Sequence, residues 1–246
     1  MEIIESLENT KIKNICKLHQ KKYRDETDNF IVEGDHLVNE AYKNGVLLEV
    51  YALPTTNINM NIKVNYVTNN VMSKISSMES ISNIIGIVKK YIPKTYGKRL
   101  LILDNIQDPG NLGTIIRSAC AFNIDTIILG NTCVDLYNDK AIRATEGMLF
   151  NIDIMRFELE SLISELKNNN YTIMGTNVIN GTPLNKVTFN DKFAIVIGSE
   201  GQGISENIQK LISDNIYIPM NKKCESLNAG VAASIIMYEM SKVDYE

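Results

Sequence analysis

The sequence predicts an α/β protein whose second part is a parallel β-sheet covered by helices on both faces. Hydrophobic residues make up 44% of the 246 residues and charged residues 22%, a balance typical of a folded globular chain. After residue 99, near-continuous apolar runs alternate with segments of helical length, and strands buried on both faces have this composition. The runs are LLILDNI, TIIL, YTIMGT, FAIVIGSE and NIYIPM.

The first 98 residues predict a smaller α/β domain. A helix is expected over residues 3–24, because apolar residues recur there at three-to-four spacing. Helical stretches that begin near Asp35 and Val71 then alternate with short β-like runs at residues 30–33, 47–53, 63–68 and 84–91.

A domain boundary is expected at residues 92–99, where Pro, Gly and cations separate two apolar runs. The predicted domains are therefore residues 1–94 and 99–246. Residues 1–98 hold 13 Lys and Arg against 11 Asp and Glu, a net charge of +2, so the remaining 12 against 18 give −6. Contact with a polyanion should therefore involve the first domain.

A basic stripe in the predicted first helix is formed by Lys13, Lys17, Lys21 and Arg24. Such a stripe is either a solvated face or a phosphate contact, and the spacing alone leaves both open. The acidic pI of about 5.4 argues, when taken alone, against nucleic-acid binding.

Neither metal nor membrane chemistry is indicated. The four cysteines are scattered without a CxxC pair and only two histidines accompany them, so a structural zinc site is not expected. The cysteines are interpreted as small buried hydrophobic residues. No apolar run approaches the roughly 18 residues of a membrane span, and the first residues do not resemble a signal peptide, so we expect a cytoplasmic protein.

Three clusters of unusual residues follow predicted strands, where the ligands of parallel α/β sheets bind. In the first, DNIQDPGNLGTIIRS, the Pro-Gly pair predicts a turn and Asn111 is expected to cap the helix that follows. A capping role leaves Arg117 unexplained. Its planar, permanently charged side chain is suited to phosphate.

The other two clusters are GSEGQGIS and IPMNKKCESLNA. Three glycines at a strand end allow a ligand to approach the backbone closely, although their spacing is not that of a dinucleotide-binding loop. Taken separately, Glu200 could cap the next helix, Ser226 could be an ordinary N-cap, and Asn228 could have no function.

Together these segments resemble the three motifs of the SpoU (TrmH) family of RNA ribose 2′-O-methyltransferases. The segments are DPGNLGTIIRSACAF, IVIGSEGQGIS and IPMNKKCESLNAGVAA, and LHQKKYRDETDNFIVEGDHLVNEA resembles the RNA substrate-binding domain of many members. The resemblance implies methyl transfer from S-adenosylmethionine to an RNA ribose 2′-hydroxyl without a metal. The first domain resembles that of rRNA-directed members, so 23S rRNA is the expected substrate and tRNA the alternative.

The resemblance also implies a trefoil knot in the second domain, a homodimer, and an active site completed across the dimer interface. The catalytic positions of the family correspond to Asn111, Arg117, Glu200 and Asn228. Arg117 is expected to clamp phosphate and stabilise the oxyanion, oriented by Asn111 and Glu200, while Asn228 holds the cofactor loop and sugar. The expected cofactor-binding residues are Thr176, Gly198, Ile218, Met220, Ser226 and Leu227.

Two positions depart from the family pattern. Lys222 stands where the third motif usually has glycine, and Met148 stands where small residues often follow IRATEG. Two other classes of function also stay open: an RNA-binding scaffold without catalysis, and a nucleotide-dependent enzyme whose glycine cluster binds phosphate. The four polar residues at catalytic positions argue against the scaffold.

Overall fold

The computed structural model describes residues 2–177, 180–221, 223–224 and 226–241 and divides the chain into two compact units. The first unit comprises Met1–Tyr91 and Asp135–Phe150, and the second comprises Ile92–Val134 and Asn151–Glu246. The division at Tyr91 lies close to the predicted boundary. The segment Asp135–Phe150 belongs to the first unit, although the sequence analysis assigned it to the domain 99–246.

Helices and strands alternate through both units. Residues 2–91 contain β1 (Ile3–Ile4), α1 (Thr10–Lys17), α2 (Lys21–Thr27), β2 (Asn29–Glu33), α3 (Asp35–Lys43), β3 (Leu47–Ala52), β4 (Val64–Val67), α4 (Asn69–Ile75) and β5 (Ile84–Lys89). Residues 92–241 contain β6 (Arg99–Leu103), α5 (Pro109–Ala121), β7 (Thr126–Gly130), α6 (Asp139–Ala144), β8 (Asp153–Phe157), α7 (Leu159–Asn168), β9 (Thr172–Thr176), β10 (Gly181–Pro183), β11 (Phe193–Ile197), α8 (Glu206–Gln209), β12 (Asp214–Tyr217) and α9 (Ala229–Ser241).

The single helix predicted over residues 3–24 was wrong. Ile4 instead pairs with Val67 in a short parallel strand of the five-stranded sheet, whose order is β1-β4-β3-β5-β2. Helix α1 starts only after Asn9, whose side chain accepts a hydrogen bond from the Lys11 backbone N–H at 2.9 Å. The first backbone N–H groups of a helix have no partner within the helix, and the Asn9 side chain provides one for Lys11. The helix can therefore begin at Thr10.

Arg24 does not belong to an exposed basic stripe. Only 6% of its surface is exposed, and Nη1 donates to the carbonyl oxygens of Leu18 and His19 at 2.7 and 2.8 Å. Its Nη2 is paired with the Asp135 carboxylate at 2.5 Å. Removing one partner of such a buried pair typically costs about 3–5 kcal/mol, because the other charge stays buried. Arg24 therefore has a structural role.

The segment Asp135–Phe150 is part of the apolar core of the first unit. Ile142 is 2% exposed within a cluster built around Phe30, and the Tyr137 ring centroid lies 4.7 Å from that of Phe30. Burial raises the pKa of Tyr137 to about 12. A truncation that removes residues 1–94 would expose the apolar side of this segment, so it does not isolate the second unit.

The second unit contains a seven-stranded sheet in the order β10-β12-β9-β11-β6-β7-β8, and every neighbouring pair is parallel. This confirms the predicted parallel α/β fold, and all five apolar runs are strands. Strands β8 and β10 were not predicted from the sequence. Both lie at sheet edges, where a strand needs no continuous apolar run because it is not buried like the central strands.

All four cysteines are free thiols. Burial raises the pKa of the half-buried Cys120 to about 11 and also raises that of the buried Cys133, which keeps both thiols protonated and unreactive. Of the four, Cys133 alone is buried, whereas Cys16 and Cys120 are half-buried and Cys224 is exposed, so the prediction that the cysteines are buried was wrong for three of them. In the part of the chain that is described, no helix is both long and apolar enough to cross a membrane.

Candidate active site

A cavity of the second unit, with a volume of about 820 Å³, lies beyond the carboxyl ends of β9, β11 and β12. Parallel strands place their ends at one edge of the sheet, and residues distant in sequence meet there. All six residues expected to bind cofactor line this cavity, namely Thr176, Gly198, Ile218, Met220, Ser226 and Leu227.

Gly198 allows the glycine-rich loop after β11 to fold back on itself. The backbone groups of Ser199 and Gly203 exchange two hydrogen bonds of 3.1 and 2.9 Å, and Gly203 adopts a φ of +67°. A Cβ added to Gly198 would lie 2.0 Å from the carbonyl carbon of Gly203. A ligand was expected to approach the backbone closely at this glycine, and in the structure the chain's own backbone makes the close approach.

Three of the four expected catalytic residues meet at the edge of this cavity. The Glu200 Oε1 atom accepts hydrogen bonds from the side-chain amides of Asn111 at 3.0 Å and Asn228 at 2.5 Å. It also accepts one from the backbone N–H of Ala229 at 3.0 Å. The Asn228 amide in turn donates to Asn111 Oδ1 at 2.8 Å. The network fixes a carboxylate between two amides.

Asn111 is available for this network because another residue caps its helix. The prediction that Asn111 is the N-cap was wrong, since α5 begins at Pro109 and Asp108 accepts from the Asn111 backbone N–H at 2.7 Å. Proline suits the first helical position, where no backbone donor is needed. Asn111 therefore lies in the first turn, with its side chain turned towards Glu200.

Asn228 joins the start of α9 to the glycine-rich loop. Its Oδ1 accepts from the Val231 backbone N–H at 3.2 Å, while its amide donates to Glu200 and Asn111. The interpretation of Asn228 as a residue without function does not account for these contacts. In this arrangement Asn228 caps the helix, and Ser226 lies two residues before it.

Arg117 lies apart from the other three residues. It is exposed and makes no hydrogen bond or ion pair with any other described residue. Six residues of helix separate it from Asn111, about 9 Å along the axis and roughly 120° around it. The expectation that Asn111 and Glu200 orient Arg117 is therefore not met within one chain.

Asp104 is a buried carboxylate that the sequence analysis missed. It is 5% exposed at the end of β6 and accepts from the Ser205 backbone N–H at 2.6 Å. This bond ties the glycine-rich loop to the loop before α5. The signal in the sequence is an acidic residue directly after the apolar run LLIL. A carboxylate buried at such a position needs a hydrogen-bond donor, which here is the Ser205 backbone N–H.

The two departures from the family pattern lie elsewhere. Lys222 is outside the described residues, and Met148 begins a 3₁₀ turn over Met148–Phe150 in the first unit. Within the described ranges, no group of three or more His, Cys, Asp or Glu residues could hold a metal ion.

The fold and site define an α/β enzyme with a ligand cavity at the carboxyl edge of a parallel sheet. Residues 98–238 match the SpoU rRNA Methylase family, and residues 9–86 match the MRM3-like substrate binding domain. The chain therefore belongs to the SpoU rRNA methylase family. It is 34% identical to the 23S rRNA (guanosine(2553)-2′-O)-methyltransferase RlmP of Bacillus subtilis, over 98% of this chain and 99% of that protein.

Solved structures share the complete fold. A TrmH-family protein from Porphyromonas gingivalis superposes with a TM-score of 0.87 at 25% identity, over 97% of this chain and 99% of that one. The AdoMet-bound rRNA methyltransferase from Sinorhizobium meliloti gives a TM-score of 0.85 at 27% identity, over 97% of both chains.

Proposed function

We propose that this protein transfers a methyl group from S-adenosylmethionine to a ribose 2′-hydroxyl of 23S rRNA. The observation that carries the proposal is the Glu200 network at the edge of the 820 Å³ cavity, in a SpoU-family chain. The rRNA substrate is inferred from the Bacillus subtilis relative, which aligns along nearly its whole length. The cytoplasm is the compartment in which it would meet this RNA.

The cavity fits the cofactor in size and chemistry. Its volume lies within the roughly 300–1,000 Å³ of ligand pockets, and it combines apolar side chains such as Ile218 and Leu227 with polar ones such as Asn177 and Gln209. Thr176 keeps the ends of β9 and β11 together, because its hydroxyl donates to the Val196 carbonyl at 3.2 Å. When bound, S-adenosylmethionine supplies a methyl group that is already activated by its sulfonium.

The protein's contribution to the reaction is mainly positioning. Glu200 Oε1 is held by three donors, whereas Oε2 has no hydrogen bond to the described residues and can accept one from the ribose hydroxyl. Asn111 and Asn228 fix that carboxylate before the substrate arrives, so its orientation costs no further entropy. Arg117 would bind the adjacent phosphate and stabilise developing negative charge on the ribose oxygen.

The proposal includes a homodimer, in which Arg117 acts at the partner's site. Helix α9 exposes Val231 (45%), Ile235 (38%) and Tyr238 (52%) at helical spacing, which forms an apolar stripe on one face. It packs against α5, the helix of Arg117, with the Ser118 and Ser234 hydroxyls 2.7 Å apart. A partner that covers this stripe would approach Arg117. The trefoil knot typical of the family is likewise proposed for the second unit.

The proposed activity is tested with the purified protein, methyl-labelled S-adenosylmethionine, and rRNA and tRNA from cells that lack the gene. We expect label in 23S rRNA, at one nucleotide whose 3′ phosphodiester resists alkali because its 2′-oxygen is methylated. Label in tRNA alone would favour the alternative substrate. Cofactor binding by calorimetry without label in any RNA would instead indicate a non-catalytic scaffold.

The dimer is tested by light scattering at micromolar concentration. We expect twice the chain mass for the wild type. Replacing Val231 and Ile235 by Asp puts charges on the apolar stripe, so this variant should be monomeric and inactive in methylation. A wild-type monomer with full activity would contradict the composite site.

The basic residues of the first unit should determine RNA affinity. Lys17 and Lys21 are exposed, so the double variant Lys17→Glu, Lys21→Glu should bind RNA more weakly. Its binding should also depend less on salt: the slope of the logarithm of the binding constant against that of the salt concentration should be shallower by about 0.7 to 0.9 per lysine. Filter binding across a salt series measures both. Lys167→Glu, a charge reversal in the second unit, is the control. Equal affinities for all three proteins would identify the lysines as a merely solvated face.

A further inference from the structure

A second cavity of the second unit, of about 440 Å³, lies beside the first. It is formed by the loop before α5 and by the glycine-rich loop. Ser199, Glu200, Gln202 and Ala229 line both cavities, so Glu200 stands in the wall between them. The side of Glu200 that does not face the proposed cofactor cavity therefore faces a second space large enough for a ligand.

The chemistry of this second cavity selects for an uncharged ligand with hydrogen-bonding edges. It is lined by the amides of Asn105, Gln107, Asn111 and Gln202 and by the carboxylates of Asp108 and Glu200, and no Lys or Arg is among its lining residues. Phosphate is disfavoured there, because two carboxylates repel it. Amides both donate and accept hydrogen bonds, as the edges of nucleobases and ribose hydroxyls do.

The walls of this second cavity are held in place before any ligand binds. Ile106 is 2% exposed, and its carbonyl accepts from the Val134 backbone N–H at 2.9 Å. Asn105 adopts a φ of +60°, unusual for a residue with a side chain, and its Oδ1 accepts from the Gln107 amide at 3.0 Å. The bond from Ser205 to the buried Asp104 ties the two loops together.

We propose that this second cavity binds the acceptor nucleoside, with its ribose at Glu200 and its base against the amides of Gln107 and Gln202. This rests on the proposed methyltransferase function and adds the site and two residues that determine which nucleotide is accepted. The phosphates stay outside the cavity.

The test measures methylation of 23S rRNA from cells that lack the gene, by Gln107→Leu and Gln202→Leu. Both residues are exposed, so folding should be retained, and leucine keeps the size while removing the hydrogen bonds. We expect kcat/KM for RNA to fall about tenfold or more in each variant, and the Kd for S-adenosylmethionine to stay unchanged in Gln107→Leu, because Gln107 lines only the second cavity. Asn168→Leu, an exposed amide that lines neither cavity, should behave like the wild type.

A second measurement distinguishes base contact from general damage. Once the methylated nucleotide is mapped, an RNA fragment carrying a purine riboside without exocyclic groups at that position is compared with the natural fragment. If Gln107 or Gln202 contacts the base, the altered base should lower the kcat/KM of the wild type about as much as the leucine substitution does. The same altered base should then lower the kcat/KM of that leucine variant only a little further. Wild-type methylation with unaltered kinetics in both leucine variants would overturn the inference. Failure of the wild type to methylate any RNA would instead refute the proposed function.

Discussion

Replacing Arg117 by alanine is expected to lower single-turnover methylation at saturating RNA by about a hundredfold or more, as removal of an oxyanion donor does in other enzymes. The cofactor Kd should stay nearly unchanged, because Arg117 does not line the cofactor cavity. Stability should change by no more than about 0.5 kcal/mol, since the side chain is exposed and makes no hydrogen bond or ion pair with the other described residues. Rapid-quench methylation and thermal unfolding provide the measurements.

Arg117→Lys is the matched variant, since it keeps the charge but loses the planar fork, and we expect it to stay severely impaired. The composite site adds a sharper test. Mixed dimers of Arg117→Ala and Glu200→Ala chains contain one site with both native residues, so mixing two inactive proteins should restore activity. Near wild-type turnover by Arg117→Ala would contradict the mechanism. Failure of the mixture to regain activity would contradict the cross-subunit role.

Gly198→Val should abolish binding of S-adenosylmethionine. The added Cβ would lie about 2 Å from backbone atoms of Gly203 and Ile204, which have no flexible side chain to move aside. The loop must therefore open, and the cavity wall and the Glu200 network open with it. Calorimetry should detect no cofactor heat, and the free energy of unfolding should fall by about 1–3 kcal/mol, the usual cost of overpacking.

Gly201→Ala is the control for this prediction. A Cβ at Gly201 meets nothing within 4 Å, and its φ lies outside the left-handed region, so the same loop should tolerate the change and bind cofactor normally. If Gly198→Val bound S-adenosylmethionine as tightly as the wild type, the close packing of the loop against Gly198 would not be needed to form the cavity. Equal loss in both variants would show that the loop tolerates no side chain, whatever the backbone distance.

The strands of the second unit and the grouping of its polar residues could be predicted from the sequence. Central strands of a parallel sheet are buried on both faces, which leaves a continuous apolar run such as FAIVI, and their carboxyl ends share one edge. Asn111, Glu200 and Asn228 follow from the motif resemblance, and the structure brings them within hydrogen-bonding distance of one another. These features depend on local pattern and strand order.

Other features depend on contacts between residues far apart in sequence, which periodicity does not contain. Arg24 continued a helical pattern of cations, yet Asp135, 111 residues later, holds it in the interior. The segment Asp135–Phe150 joins the first unit because Phe30 offers it an apolar surface. Gly198 is required because the glycine-rich loop folds back against it, and Arg117 finds no partner among the described residues of its own chain because α5 turns it away from Asn111. The sequence determines which side chains are present, but the contacts of these residues are determined only by the tertiary structure.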